Sequence, residues 1–256
     1  MESESDVRMP LTAHLEELRW RIVRALGAVG VAFGICYYFA SALFIFLNRP
    51  LANLLPNQTA VFGTGVTEAF FIKLKVSFIA ALFLASPVVF FQAWRFVAPG
   101  LYETEKRYAV PFALAASVFF SLGAAFCYWV VFPVGLRFFL AEYASLGAAP
   151  LITMSEYMSF TSRMLLAFGV TFELPVVTFF LARIGVVTHR TLMGWFRYAI
   201  VGIFVVAAVL TPGPDVASQM LMAAPLLVLY GLSILVAFLV ARPRPAPAPA
   251  EADDAS

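Results

Sequence analysis

The stretch Leu165–Phe180, LLAFGVTFELPVVTFF, decides how the rest of the chain is read. Nearly every side chain in it is apolar, yet it carries one carboxylate, Glu173, and then Pro175. Arg163 and Arg183 bracket it, each ten residues from Glu173. At 1.5 Å per residue each interval spans about 15 Å, and the two together match a hydrocarbon core of about 30 Å. Glu173 is therefore expected near the midplane of a bilayer. A carboxylate exposed to lipid there costs roughly 3 kcal/mol or more, so it should face protein or water. Pro175 cannot donate to the Thr171 carbonyl, and a bend is expected there. Bend and acid together predict a concave, locally wet pocket. The alternative is a Glu that hydrogen-bonds a neighbouring helix for packing.

The composition extends this reading to the whole chain. Of 256 residues, 62% are hydrophobic and 12% charged, against about 25% charged in a soluble domain. An all-α polytopic membrane protein is the class that fits. The net charge of +2 gives no argument for a nucleic-acid partner. Cys36 and Cys127 lie in apolar runs and read as small buried hydrophobes rather than as a disulfide. His14 and His189 lack metal-ligand spacing, and neither a metal nor a cofactor is expected. The polar, acidic start MESESDVR lacks the basic region of a cleaved signal peptide, so the first apolar run is expected to be a retained anchor.

Six apolar runs are long enough to read as spans: about 22–47, 72–96, 109–136 (ending near Pro133), 160–182, 198–211 and 217–240. They form a single domain over residues 1–241. The fifth run is short: Tyr198 to Leu210 covers about 20 Å, so it must borrow polar flanks or lie in thinned bilayer. The Pro/Ala-rich, then acidic tail 242–256 reads as disordered and cytoplasmic. Six spans put both termini on one side. With that side inside, only Arg49, Lys73, Lys75, Arg137 and Arg163 of the seventeen Lys and Arg fall outside or at outer span ends. The other twelve are inside, which supports an N-in, C-in arrangement.

Residues 10–22 read as an amphipathic helix at the membrane surface. Leu11, Leu15, Leu18 and Ile22 form one stripe, and His14, Glu17 and Arg21 another. Glu17 and Arg21 are spaced for an i,i+4 pair worth a few tenths of a kcal/mol. The first cytoplasmic connection carries Glu103 and Glu105 beside Lys106 and Arg107, which by itself reads as a solvated charge cluster. Carboxylates on two such elements can also converge on one cation. Paired hydrogen bonds from a guanidinium would then favour Arg over Lys.

Several blocks in order resemble TatC, the multispanning subunit of the twin-arginine protein translocase. They are HLEELRWR (14–21), FFIKLKVSF (70–78), SPVVFFQAWRFVAPGLYETEKR (86–107), AFGVTFELPVV (167–177) and LTPGPDVASQ (210–219). The resemblance implies a concave, glove-like bundle with short fifth and sixth spans in a bacterial cytoplasmic (inner) membrane. It implies a receptor that binds the twin-arginine signal peptides of folded precursors. Such a receptor assembles with TatA- and TatB-type single-span partners, with lipid and with other copies of itself, and the protonmotive force drives export. It implies no enzymatic chemistry. Carried over by position, Glu17 and Glu105 are the twin-arginine contacts, with Arg19, Phe96 and the added acid Glu103 as further contact positions. Pro50, Pro87, Pro175 and Asp215 match structural motif positions. Glu173, together with Gln219, is expected to form an intramembrane polar site where a partner or the advancing signal peptide docks.

Three other functions compete. A proton-coupled small-molecule transporter would use Glu173 as its carrier, but it would want a second buried charge, and Lys73 and Lys75 lie too near a span end. An intramembrane protease would need paired aspartates, a Ser/His pair or HExxH, none of which the sequence holds within a span. A passive scaffold would share the fold and fail to bind signal peptide.

Overall fold

The computed structural model describes residues 11–55, 61–97, 109–211 and 216–240, the side chains of 11–14, 97 and 109 excepted. Glu103, Glu105, Asp215 and the tail 242–256 lie outside the described residues. Those described are helical apart from loops and one isolated bridge. The helices are α1 (Leu11–Tyr38), α2 (Ala40–Ala52), α3 (Glu68–Val97), α4 (Ala109–Phe126), α5 (Phe132–Ser145), α6 (Met154–Arg183), α7 (His189–Leu210) and α8 (Val216–Val240). A π-helical turn, Cys127–Val131, joins α4 to α5. Among the described residues, six helical stretches are long and apolar enough to cross a membrane, as the hydrophobic runs predict. We call the end where α1 starts and α8 finishes the terminal end, and the other the distal end.

The helices overrun the apolar runs for local reasons. Residues 11–38 form one unbroken helix, so the amphipathic stretch feeds directly into the first span, which then breaks at Phe39 (φ −96°, ψ 12°) before α2. The third span continues past Pro133 to Ser145. Pro133 has no N–H for the carbonyl four residues back, and its ring crowds that carbonyl. The preceding turn widens to π geometry, with the Phe132 N–H bonded to the Cys127 carbonyl. α7 starts at His189 rather than near Tyr198, because Thr188 caps it by accepting from the Thr191 N–H at 3.3 Å. Its first turns carry Arg190 and Arg197, so the uncharged part remains Tyr198 to Leu210 and the helix borrows a polar flank. α8 has 25 residues, about 37 Å, enough to cross unaided.

Packing centres on α3, α4 and α6. α1 lies along α3, α4 lies between α3 and α6, α8 packs on α6, and α7 packs almost only on α8. The α1–α3 seam is made of small residues, among them Ala32, Cys36, Ala81 and Ala85, which let two backbones approach closely. Cys36 and Cys127 are both buried and free. The main core gathers Phe132, Met158, Met164, Phe168, Met222 and Leu226. Gly123 of α4 and Gly169 of α6 mark the tightest crossing. A Cβ at Gly123 would lie 2.5 Å from the Phe168 carbonyl oxygen, and one at Gly169 would lie 2.7 Å from the Phe120 ring. Gly147 (φ 67°) and Gly185 (φ 78°) supply the left-handed residues that close α5 and α6.

Two of the motif prolines have their freed carbonyls filled by other side chains. Pro50 leaves the Phe46 carbonyl without its helical donor, and the Tyr128 hydroxyl donates to it at 2.7 Å while the two rings stack at 4.6 Å. Pro87 does the same to Phe83, and the neighbouring Ser86 hydroxyl donates to that carbonyl at 2.8 Å. Tyr157 adds a second inter-helix strut, donating to the Leu47 carbonyl at 2.9 Å.

Candidate functional site

The terminal end is built on α1, α3 and α6. On α1, Arg21 donates to Glu17 Oε1 through Nε at 3.1 Å and through Nη2. The i,i+4 pairing readable from the sequence is therefore formed. Glu16 and Arg19 point outward and are exposed. α1 packs on α3, so the helix carrying Glu17 neighbours the helix that leads into the 98–108 connection, where Glu103 and Glu105 occur. Both ends of that connection are held by one aromatic cluster. Trp94 of α3 stacks on Phe112 of α4 at 4.1 Å, and Phe180 of α6 meets the Trp94 ring edge-on at 4.0 Å. Phe96, in the last turn of α3, is half-buried. Arg95 reaches over the Phe91 ring at 5.8 Å.

The second expected site lies deeper. Glu173 is half-buried on α6, one turn from the Gly123–Gly169 crossing, and its Oε1 is buried with no hydrogen-bond partner. Pro175 is buried and α6 runs through it unbroken. Gln219 is half-buried in the first turn of α8, at the distal end. Glu173, nineteen residues from the distal start of α6, is about 28 Å from that end. The two residues grouped by sequence thus stand on different levels of the bundle. Pro50 and Pro87 take the structural positions described above. No group of three His, Cys, Asp or Glu side chains among the described residues is placed to hold a metal.

Sequence reasoning missed a node at the distal end. The Glu68 carboxylate accepts from the Thr64 N–H (2.5 Å), the Thr64 hydroxyl (3.1 Å), the Gly65 N–H (3.2 Å) and the Ser155 N–H (2.8 Å). Alongside it, Phe62 and residues 152–154 exchange two backbone bonds of 2.9 and 2.8 Å. Glu68 therefore ties the loop after α2 to the start of α6. Only half of this was readable: Thr153 and Glu156 have capping-box spacing, and the Thr153 hydroxyl accepts from the Glu156 N–H at 3.2 Å and donates to the Glu156 carboxylate at 2.9 Å.

This fold and site define a class: a helical membrane protein with six candidate spans, polar side chains at both ends and, among the described residues, one acid, Glu173, deep in a span. A profile of the family described as Sec-independent protein translocase protein (TatC) matches residues 13–225. The chain belongs to the TatC family and is a transport component. It is 45% identical to the Sec-independent protein translocase protein TatC of Desulforapulum autotrophicum over 92% of this chain and 86% of that one. It is 44% identical to the Helicobacter pylori TatC over 90% and 88%, and 39% identical to the Aquifex aeolicus TatC over 92% and 98%. Among solved structures, a crystal structure titled Twin Arginine Translocase Receptor TatC superposes with a TM-score of 0.80 at 39% identity, covering 90% of this chain and 100% of that one.

Proposed function

We propose that this protein is the signal-peptide receptor and core subunit of a twin-arginine translocase in a bacterial inner membrane, with both termini cytoplasmic. Glu17 and Glu105 take the paired arginines of a precursor's signal peptide, with Glu103, Arg19 and Phe96 around them. TatA- and TatB-type partners then assemble on the complex, and the protonmotive force drives export. The observation that carries this reading is the Glu17 carboxylate gripping a guanidinium with two donors, on the helix packed beside the one leading to Glu103 and Glu105. An incoming arginine would exchange with Arg21 at little cost, since an i,i+4 pair contributes only a few tenths of a kcal/mol.

The test is photocross-linking from position 105, and titration of the purified protein, with a twin-arginine peptide and its Lys-Lys control. A charge-assisted hydrogen bond contributes about 1.5–3 kcal/mol, so Glu17→Gln or Glu105→Gln should each weaken binding roughly 10- to 100-fold. Unchanged binding in the double variant would remove the receptor assignment. The half-buried Glu173 serves as the second station, docking a polar group of a single-span partner or of the inserting peptide. Glu173→Ala should leave surface binding of the peptide intact and lower both partner cross-linking and transport. A variant with full transport and full cross-linking would refute that role.

A further inference from the structure

At the distal end two cations on neighbouring helices are tied to one residue. Lys75 Nζ of α3 donates to the Ser159 hydroxyl at 2.8 Å, and Arg163 Nε of α6 donates to the Ser159 carbonyl at 3.2 Å. Ammonium and guanidinium are therefore both anchored on Ser159, and like charges repel. The carboxylates nearest along α3 and α6 are committed elsewhere: Glu68 to four donors around Thr64 and Ser155, and Glu156 to the Thr153 cap. Lys75 and Arg163 form no ion pair with a carboxylate among the described residues. Both side chains are exposed on the outer surface of the bundle.

Their depth points to the ligand. Lys75 is seven residues inside the start of α3 and Arg163 nine inside the start of α6, or about 10 and 13 Å along the helix axes. That places them at the boundary between headgroups and hydrocarbon. The surface around and below them is apolar: Phe71 and Phe78 flank Lys75 at 62% and 50% exposure, and Val170, two turns deeper than Arg163, is 63% exposed. We propose that Lys75 and Arg163 form a binding site for the phosphate of an anionic phospholipid, whose acyl chains lie over Phe78 and Val170. Two fixed cations favour phosphatidylglycerol, which carries a net negative charge. They disfavour phosphatidylethanolamine, whose own ammonium would be brought against them. A lipid held there bridges α3 and α6, the two helices that the Glu68 node also links.

Native mass spectrometry of the full chain, purified in detergent and stripped of lipid, tests this by titration with the two lipids bearing identical acyl chains. Each basic residue near a membrane surface contributes about 1 kcal/mol toward an anionic lipid, so the pair should favour phosphatidylglycerol by roughly 10- to 30-fold. The combined Lys75→Gln and Arg163→Gln variant should bring the two lipids within about twofold. The charge-preserving Lys75→Arg and Arg163→Lys pair should keep the preference, and it decides the matter if the Gln variant folds poorly. Retained preference in a folded Gln variant overturns the proposal. Equal binding of the two lipids by the unaltered chain would show that the two cations do not select an anionic headgroup. Full displacement of phosphatidylglycerol by millimolar inorganic phosphate would make this a free-anion site. Either result overturns the lipid assignment.

Discussion

Every proline inside a spanning helix leaves a carbonyl four residues earlier without its N–H, and in hydrocarbon no water replaces the donor. At Pro87 and Pro50 the protein answers with hydroxyls. Ser86 sits directly before Pro87 and turns back to the Phe83 carbonyl, while Tyr128 reaches Phe46 from another helix. Ser86 is 3% exposed, so its loss leaves a buried acceptor bare. Ser86→Ala should cost about 1–2 kcal/mol, read as a drop of roughly 2–4 °C per kcal/mol in the unfolding midpoint of purified protein. An unchanged midpoint would mean the Phe83 carbonyl needs no donor. The Ser-Pro dipeptide makes this contact legible in the sequence. The Tyr128 contact joins residues 82 apart and has no local signal. Glu17 and Arg21 belong to the first kind, because i,i+4 spacing on a helix announces the pair. Glu68 belongs to the second, because one of its donors, Ser155, is 87 residues away.

Among the helices, the α4–α6 crossing fixes how close Glu173 comes to its neighbours, and two glycines set that distance with unequal tolerance. A methyl at Gly123 meets backbone at 2.5 Å, which yields only if the helices separate. A methyl at Gly169 meets the Phe120 ring, a side chain that can turn, although Phe83 stacks on it at 4.5 Å and Phe90 meets it edge-on at 5.7 Å. Overpacking costs about 1–3 kcal/mol. Gly123→Ala should fall at the upper end of that range and Gly169→Ala at the lower, compared by thermal unfolding in one detergent. The reverse order would show that the Phe120 ring is the more rigid wall. Hydropathy located all six spans because the membrane requirement is a sum over about twenty residues. It missed where the helices start and stop, because capping at Thr188, the π turn before Pro133 and the break at Phe39 are local backbone events inside or beside apolar runs. The intramembrane acid was legible as a lone charge. Its separation from Gln219 was not, since helix phase and depth emerge only when the spans are packed.

For the whole molecule, the distribution of basic residues predicts which way the bundle faces. Among the described residues seven of twelve Lys and Arg lie on the terminal side, with Arg183, Arg190 and Arg197 around the short α6–α7 connection. The positive-inside bias holds such segments in the cytoplasm. The distal side would then face outward, with the Glu68 node and the loop before α6. The protein is suited to a direct test because Cys36 and Cys127 are buried and should not label. Ala148→Cys, in the exposed distal loop, should react with a membrane-impermeant maleimide in intact cells. Val186→Cys, 65% exposed in the α6–α7 connection, should react only after permeabilisation. The opposite pattern would invert the protein and put Glu17 on the wrong side for a precursor made in the cytoplasm. It would thus remove the receptor reading together with the orientation.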